Sequence, residues 1–183
     1  MPDVWMPPAT GDDSAVLVKA LGDMCAAYLG PGVVIRRGWQ NRVSRPPASP
    51  WVQITPLAAT RHGTNRHLGG NPSLMPGQDV AAGTVRIVQP RSRRVQIDFF
   101  GPDAARWAHT VSAALWDMTG CDFLAPYGVV PLETDDPRDL SGMEGDEQAV
   151  TRWMFETRLQ VNGVVSLPLD YFSNVNLGLH PQK

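Results

Sequence analysis

His62 and His67 lie five residues apart in a glycine-rich stretch, RHGTNRHLGGNPSLMPGQDVAAG, where two imidazoles could begin a metal site. Zinc needs further Cys, His or carboxylate ligands, and none falls nearby at ordinary spacing. The segment TDDPRDLSGMEGDE offers many oxygen ligands but lacks the alternating Asp pattern with a central Gly that builds a calcium loop. It would form a two-metal nuclease centre only if the fold drew several of its carboxylates together. Ser14, Ser112, Cys25 and Cys121 are nucleophiles by type. No recognisable base accompanies them, and the chain has no Gly-x-Ser-x-Gly, Walker-type phosphate loop or dinucleotide fingerprint. The expected catalytic, metal and cofactor sets are therefore empty, and the weight of expectation moves to a protein that works by contact.

Charge points the same way. The formal net charge is only −2, but its signs are segregated along the chain. Ten arginines between residues 36 and 94 stand against Asp79 alone, a net of +9, while seven acids between 133 and 147 stand against Arg138, a net of −6. Such asymmetry suits nucleic-acid binding, and equally suits copies of one protein meeting basic face to acidic face in a ring. Only Lys19 and Lys183 among the 16 basic residues are lysine. The planar arginine fork pairs well with carboxylates, so the bias leans towards protein interfaces without excluding phosphate. The basic contact candidates are Arg61, His62, Arg66, His67, Arg91, Arg93 and Arg94, and the acidic ones are Asp135, Asp136 and Asp139 with Arg138 among them. A rival expectation pairs these last four within one subunit. Trp5 sits in a Pro-rich tail, residues 1–12, that reads as extended and available to a neighbour.

These residues need a scaffold, and residues 95–120 organise it. Val95, Ile97 and Phe99 alternate with Gln96 and Asp98, the period of a strand with one buried face, although Phe100 breaks the polar side. Gly101 ends the strand, Pro102 suits the first helical position, and Asp103 places an anion in the first turn. Ala104, Ala108, Val111, Leu115 and Met118 then form a helical stripe flanked by Trp107 and Ala114, and Gly120 is expected as a left-handed cap. Trp116 falls off that stripe, either half-buried by sheet edges or set in a subunit contact.

An earlier helix is expected over 14–29, capped by Asp12 or Asp13, with Leu17, Leu21, Met24, Cys25 and Tyr28 on its face and Gly30-Pro31 as its stop. Strands are expected over 33–39 and 51–60, the second interrupted or set at an edge by Pro56, with a loop over 41–50 between them. Residues 61–83 show no hydrophobic period and read as a long projecting loop or arm. Residues 84–100 read as one long strand or as a hairpin broken at 89–92. A short strand over 129–132, an acidic loop over 133–147, a long strand over 148–167 stopped by Pro168, and a last element over 171–179 complete the order. The expectation is one α+β domain over 1–183: an antiparallel sheet with two main helices packed on one face, plus a long loop or hairpin arm. Both cysteines read as small buried thiols. Without a signal peptide or membrane span, the protein is expected to be made in a cytosol.

Four blocks then carry a resemblance: WVQITPLAATRHGTN from Trp51, VQIDFFGPDAARWAHTVSAALWDMTGCDFLAP from Val95, PLETDDPRDL from Pro131, and a run over 147–168 containing RWMFETRLQVNGVVSLP. Together they span over half the chain, and they resemble the neck or tail terminator proteins of tailed bacteriophages. The resemblance implies an α+β virion subunit, assembled in host cytoplasm, forming a hexameric ring at the head-proximal end of the tail. It further implies partners: the tail tube protein, a sheath protein if the tail contracts, the head connector, and DNA crossing the channel without sequence-specific binding. Residues 1–30 and 66–83 match less clearly. Three alternatives stay open: a head completion or connector protein in a twelve-fold ring, a nucleic-acid binder using the arginine-rich segment, and a metal nuclease using the acidic one.

Overall fold

The structure is a computed structural model, and it describes residues 13–38, 50–70, 83–144 and 148–169. In chain order the elements are α1 (Asp13–Leu29), β1 (Val34–Arg37), β2 (Trp51–Arg61), β3 (Arg66–Gly70), β4 (Gly83–Gln89), β5 (Arg91–Phe100), α2 (Ala104–Trp116), α3 (Met118–Leu124), a 3-10 turn (Ala125–Tyr127), β6 (Val129–Thr134), β7 (Arg138–Asp139), β8 (Gly142–Glu144), β9 (Gln148–Val150), β10 (Arg152–Val161) and β11 (Gly163–Leu169). The expected 1–12 tail and the 171–179 element lie outside the described residues, as does most of the loop over 41–50.

The alternating pattern of the sequence becomes one apolar sheet face. The main sheet runs β1-β2-β5-β10-β6, with β7 also paired to β10. Register sets Ile54 beside Ile97 and Ile97 beside Phe155, and Val52 beside Phe99. These side chains are fully buried with Val95 and Leu159, and the same core takes Leu17, Leu21, Met24 and Cys25 from α1 and Ala104, Trp107, Ala108, Val111 and Leu115 from α2. The protein is thus α+β, with its helices on one face of a mainly antiparallel sheet. β1 and β2 pair in parallel, which requires a crossover, and the thirteen residues between Arg37 and Trp51 supply the length. Pro56 lies beyond the end of β1, so its missing N–H breaks no ladder with that strand, and the pairing with β5 shifts register between Pro56 and Ala59.

The central helix departs from expectation at both ends. It begins at Ala104, with Asp103 at the N-cap rather than inside the first turn and Pro102 ahead of it. It stops at Trp116, because Asp117 turns extended (φ −108°, ψ 160°) and its carboxylate accepts a hydrogen bond from the Thr119 N–H at 2.9 Å, capping a second helix. Gly120 is therefore no left-handed cap. It is buried inside α3, where an added Cβ would lie 2.1 Å from the Ala114 carbonyl oxygen. Cys121 falls within the same short helix, and Met118 leaves the apolar stripe for solvent, 69% exposed.

Of the two forms expected for 61–83, a long loop or a hairpin arm, the structure has the strand-paired one. β3 forms within it and pairs with β4, which pairs in turn with β11, giving a second sheet in the order β11-β4-β3. Residues 84–100 form neither a single strand nor a hairpin: only Pro90 separates β4 from β5, and the two join different sheets. The order β2-β5-β10 of the main sheet repeats as β3-β4-β11, so three central strands continue past the helices into the second sheet. At the joint the His62 N–H donates to the Pro90 carbonyl at 3.0 Å. The Arg91 guanidinium crosses Gly163 so closely that a Cβ there would lie 2.9 Å from it. Pro168 does not stop the final strand. It lies inside β11, opposite Thr84, on a sheet edge where a missing N–H is tolerated. The acidic segment also pairs, through β7 on β10 and the β8–β9 hairpin.

Two substitutions probe this core. Val111→Asp would set an unpaired carboxylate on the fully buried face of α2, and a large fall in melting temperature is expected. Phe155→Ala should cost about 3–5 kcal/mol in chemical denaturation, since it empties the centre of the sheet face.

Candidate functional site

On the sheet face away from the helices, the side chains are polar but not freely solvated. Asp98 is fully buried there, and its carboxylate accepts from Arg152 Nε (3.0 Å) and Nη2 (2.7 Å) and from Gln96 Nε2 (2.8 and 3.1 Å). The Arg152 guanidinium also lies 5.7 Å from the Phe100 ring centre, and Phe100 stacks on Trp51 at 3.9 Å with only 3° between the planes. This accounts for the apolar Phe100 on a polar row. Beside it runs a ladder of looser pairs, Arg94 with Glu156 (3.4 Å), Arg158 with Glu133 (2.7 Å) and Arg138 with Asp135 (3.4 Å). Each such exposed pair stabilises by about 0–1 kcal/mol.

The basic candidates gather at and beyond the joint between the sheets. Arg61 donates to the Gly63 carbonyl (2.7 Å) and to Asn65 (3.2 Å), and Asn65 also accepts from Gln89. His62 shares a 2.6 Å hydrogen bond with Ser92, and Arg91 donates to Gln89. Arg66 and His67 are exposed on β3. The buried Nε of Arg93 has no hydrogen-bond partner among the described residues. Arg94 belongs to the ladder.

The acidic candidates sit at the other end of β10, where Asp139 opposes Trp153 and Arg138 opposes Met154. Their local pairing is partly realised. Asp135 takes Arg138, Asp139 accepts the Ser141 N–H at 2.8 Å, and Asp136 stays exposed. The Ser141 contacts hold the Asp139 carboxyl below the usual carboxylate range. The structure thus brings the basic residues other than Arg94 to one pole and Asp136 and Asp139 to the other, while Arg94 meets the acidic set midway, lining one polar hollow with Asp135, Glu133 and Glu156. Trp116 is not half-buried by sheet edges: it is 64% exposed beside the exposed Met118. Trp5 lies outside the described residues.

Among the described residues, no group of three or more His, Cys, Asp or Glu side chains is placed to hold a metal ion. Cys25 is fully buried, and burial pushes its thiol up to about 12. Among the described residues no helix is long and apolar enough to cross a membrane.

The sequence family described as phage neck terminator protein matches residues 15–182. The chain belongs to that family. No curated protein matches it. A neck terminator is a structural protein of a bacteriophage, located in the tail or neck of the virion and associated there with other tail and head proteins. The match runs from within the first turn of α1 past the end of β11, so the helices, the main sheet and the second sheet all fall inside it.

Sequence reading missed the Asp98–Arg152 pair. Asp98 sits on the polar half of an alternating strand, where nothing local separates a solvated carboxylate from a buried one. In the terminator, Arg152→Ala is expected to cost stability at the lower end of roughly 3–5 kcal/mol, since the carboxylate left behind is fully buried while Arg152 is itself 38% exposed. Adding Asp98→Asn should recover part of that loss in urea denaturation. Thiol labelling at neutral pH should spare Cys25 until the protein unfolds.

Proposed function

We propose that this neck terminator closes a ring, six copies in number, at the head-proximal end of the tail, where it stops tube growth and joins the tail to the head connector. The observation that carries this reading is the family match over residues 15–182, which makes the chain a neck protein. The surface supports it: Trp116 and Met118 are 64% and 69% exposed at the α2–α3 break, and aromatic, Met and Arg side chains are the types enriched at protein contacts. The 183 residues act as one domain, without catalysis or cofactor. The neighbours are further copies of the chain, the tail tube protein, a sheath protein where the tail contracts, and the connector, and assembly takes place in host cytoplasm. DNA crosses the ring without sequence-specific contact.

Light scattering of the purified protein followed by negative-stain imaging tests this. Rings of six subunits are expected, alone or on purified tails. Twelve-fold rings would assign the chain to the connector instead, and a chain that stays monomeric even with tails present would overturn the ring. Trp116→Lys with Met118→Lys should leave the melting temperature unchanged and reduce binding to tails or to other copies.

A further inference from the structure

The second sheet is short of cover. Leu68 is 42% exposed, and Ile87, Val88, Val164 and Val165 are only half-buried. Register sets Ile87 beside Val165 and His67 on one face, and Val88 beside Val164 and Arg66 on the other, so apolar side chains reach both faces. A three-stranded sheet of this kind gains its stability by covering such residues. Its charge says by what. Residues 61–70, 83–94 and 160–169, which make up this sheet and its joint, hold six arginines and no Asp or Glu. Arg66 and Arg86 are exposed there.

Asp136 and Asp139, exposed carboxylates of the β6–β7 edge, are in the same chain but out of reach of Arg66 and Arg86. Asp139 pairs near the first residue of β10 and the second sheet begins past its last, so at about 3.3 Å per residue the two poles stand roughly 30 Å apart. That is about three times the screening length at 0.1 M salt. A subunit with two different, complementary and distant surfaces satisfies both only by repeating head to tail. Half-buried aliphatic residues among arginines also suit a protein contact better than a purely phosphate-binding surface. We infer that the second sheet of one copy docks on the β6–β7 edge of the next, with Arg66 and Arg86 facing Asp136 and Asp139. This deepens the ring reading and rests on it.

A charge-swap series on the full chain tests the contact. Arg66→Glu with Arg86→Glu should weaken association about tenfold or more while leaving the melting temperature unchanged, and Asp136→Arg with Asp139→Arg should weaken it equally, with only the small fall in melting temperature that losing the exposed Asp139–Ser141 contact brings. All four changes in one chain should restore rings, since each reversed sheet then meets a reversed edge. A merely structural role for these residues gives no such rescue. Normal rings from the arginine-reversed chain would overturn the contact and leave the ring standing, whereas no assembly by the native chain, even on tails, would overturn both. Salt-sensitive binding of the native protein to a duplex DNA of about 30 base pairs, lost on arginine reversal while rings persist, would also overturn it and assign the sheet to nucleic acid.

Discussion

The register of β2, β5 and β10 is the constraint on which the rest depends. It lines up Ile54, Ile97 and Phe155 in one row and Val52 beside Phe99 in the next, and all five side chains are fully buried beneath the helices. Side chains alternate with a period of two, so a slip of one residue would turn this face to solvent and bring Asp98, Gln96 and Glu156 under the helices. The size of that penalty is what makes the pairing specific. Asp98 reinforces it from the other side, since its carboxylate meets Arg152 of β10 only in the observed register, while Gln96 on its own strand satisfies it in any.

The same register extends the molecule. Pro90, Asn162 and residues 62–65 interrupt the three strands at one level, yet the strand order is unchanged on either side. The joint is polar, built from His62, Ser92, Arg61, Asn65 and Gln89, whereas the body below it is dry. A body with its own core and an extension without one divide the work of an assembly subunit in a natural way. One part holds the fold, and the other carries half-buried Ile87, Val88, Val164 and Val165 outside that core. The break between α2 and α3 adds a second outward feature, because the extended backbone at Asp117 faces Trp116 and Met118 to solvent.

Where the sequence was misread, a longer-range contact had overruled a local signal. Gly120 looked like a helix stop, but close packing against the Ala114 carbonyl requires glycine there, and the cap signal that mattered was Asp117. Pro168 looked like a strand stop, and an edge position made it acceptable. Residues 66–70 carry too few apolar side chains to announce a strand. They form one because β4, already paired with β11, offers its other edge.

What the sequence determined by itself was whatever depends on period and composition: the alternation in 95–99 and 153–161, the stripe through Ala108 and Val111, the helix over 14–29, the α+β class, the segregation of charge, and the blocks that mark a phage neck terminator. These are local because a side chain's face follows from its spacing alone. The tertiary structure decided what depends on which strands become neighbours. It buried Asp98 against Arg152, 54 residues away, moved Trp116 into the open, gathered arginines from separate segments around one joint, and set the acidic edge at the opposite end of β10. Spacing along the chain carries no information about such pairings, because they are fixed by the cooperative burial of the whole sheet face and not by any one segment.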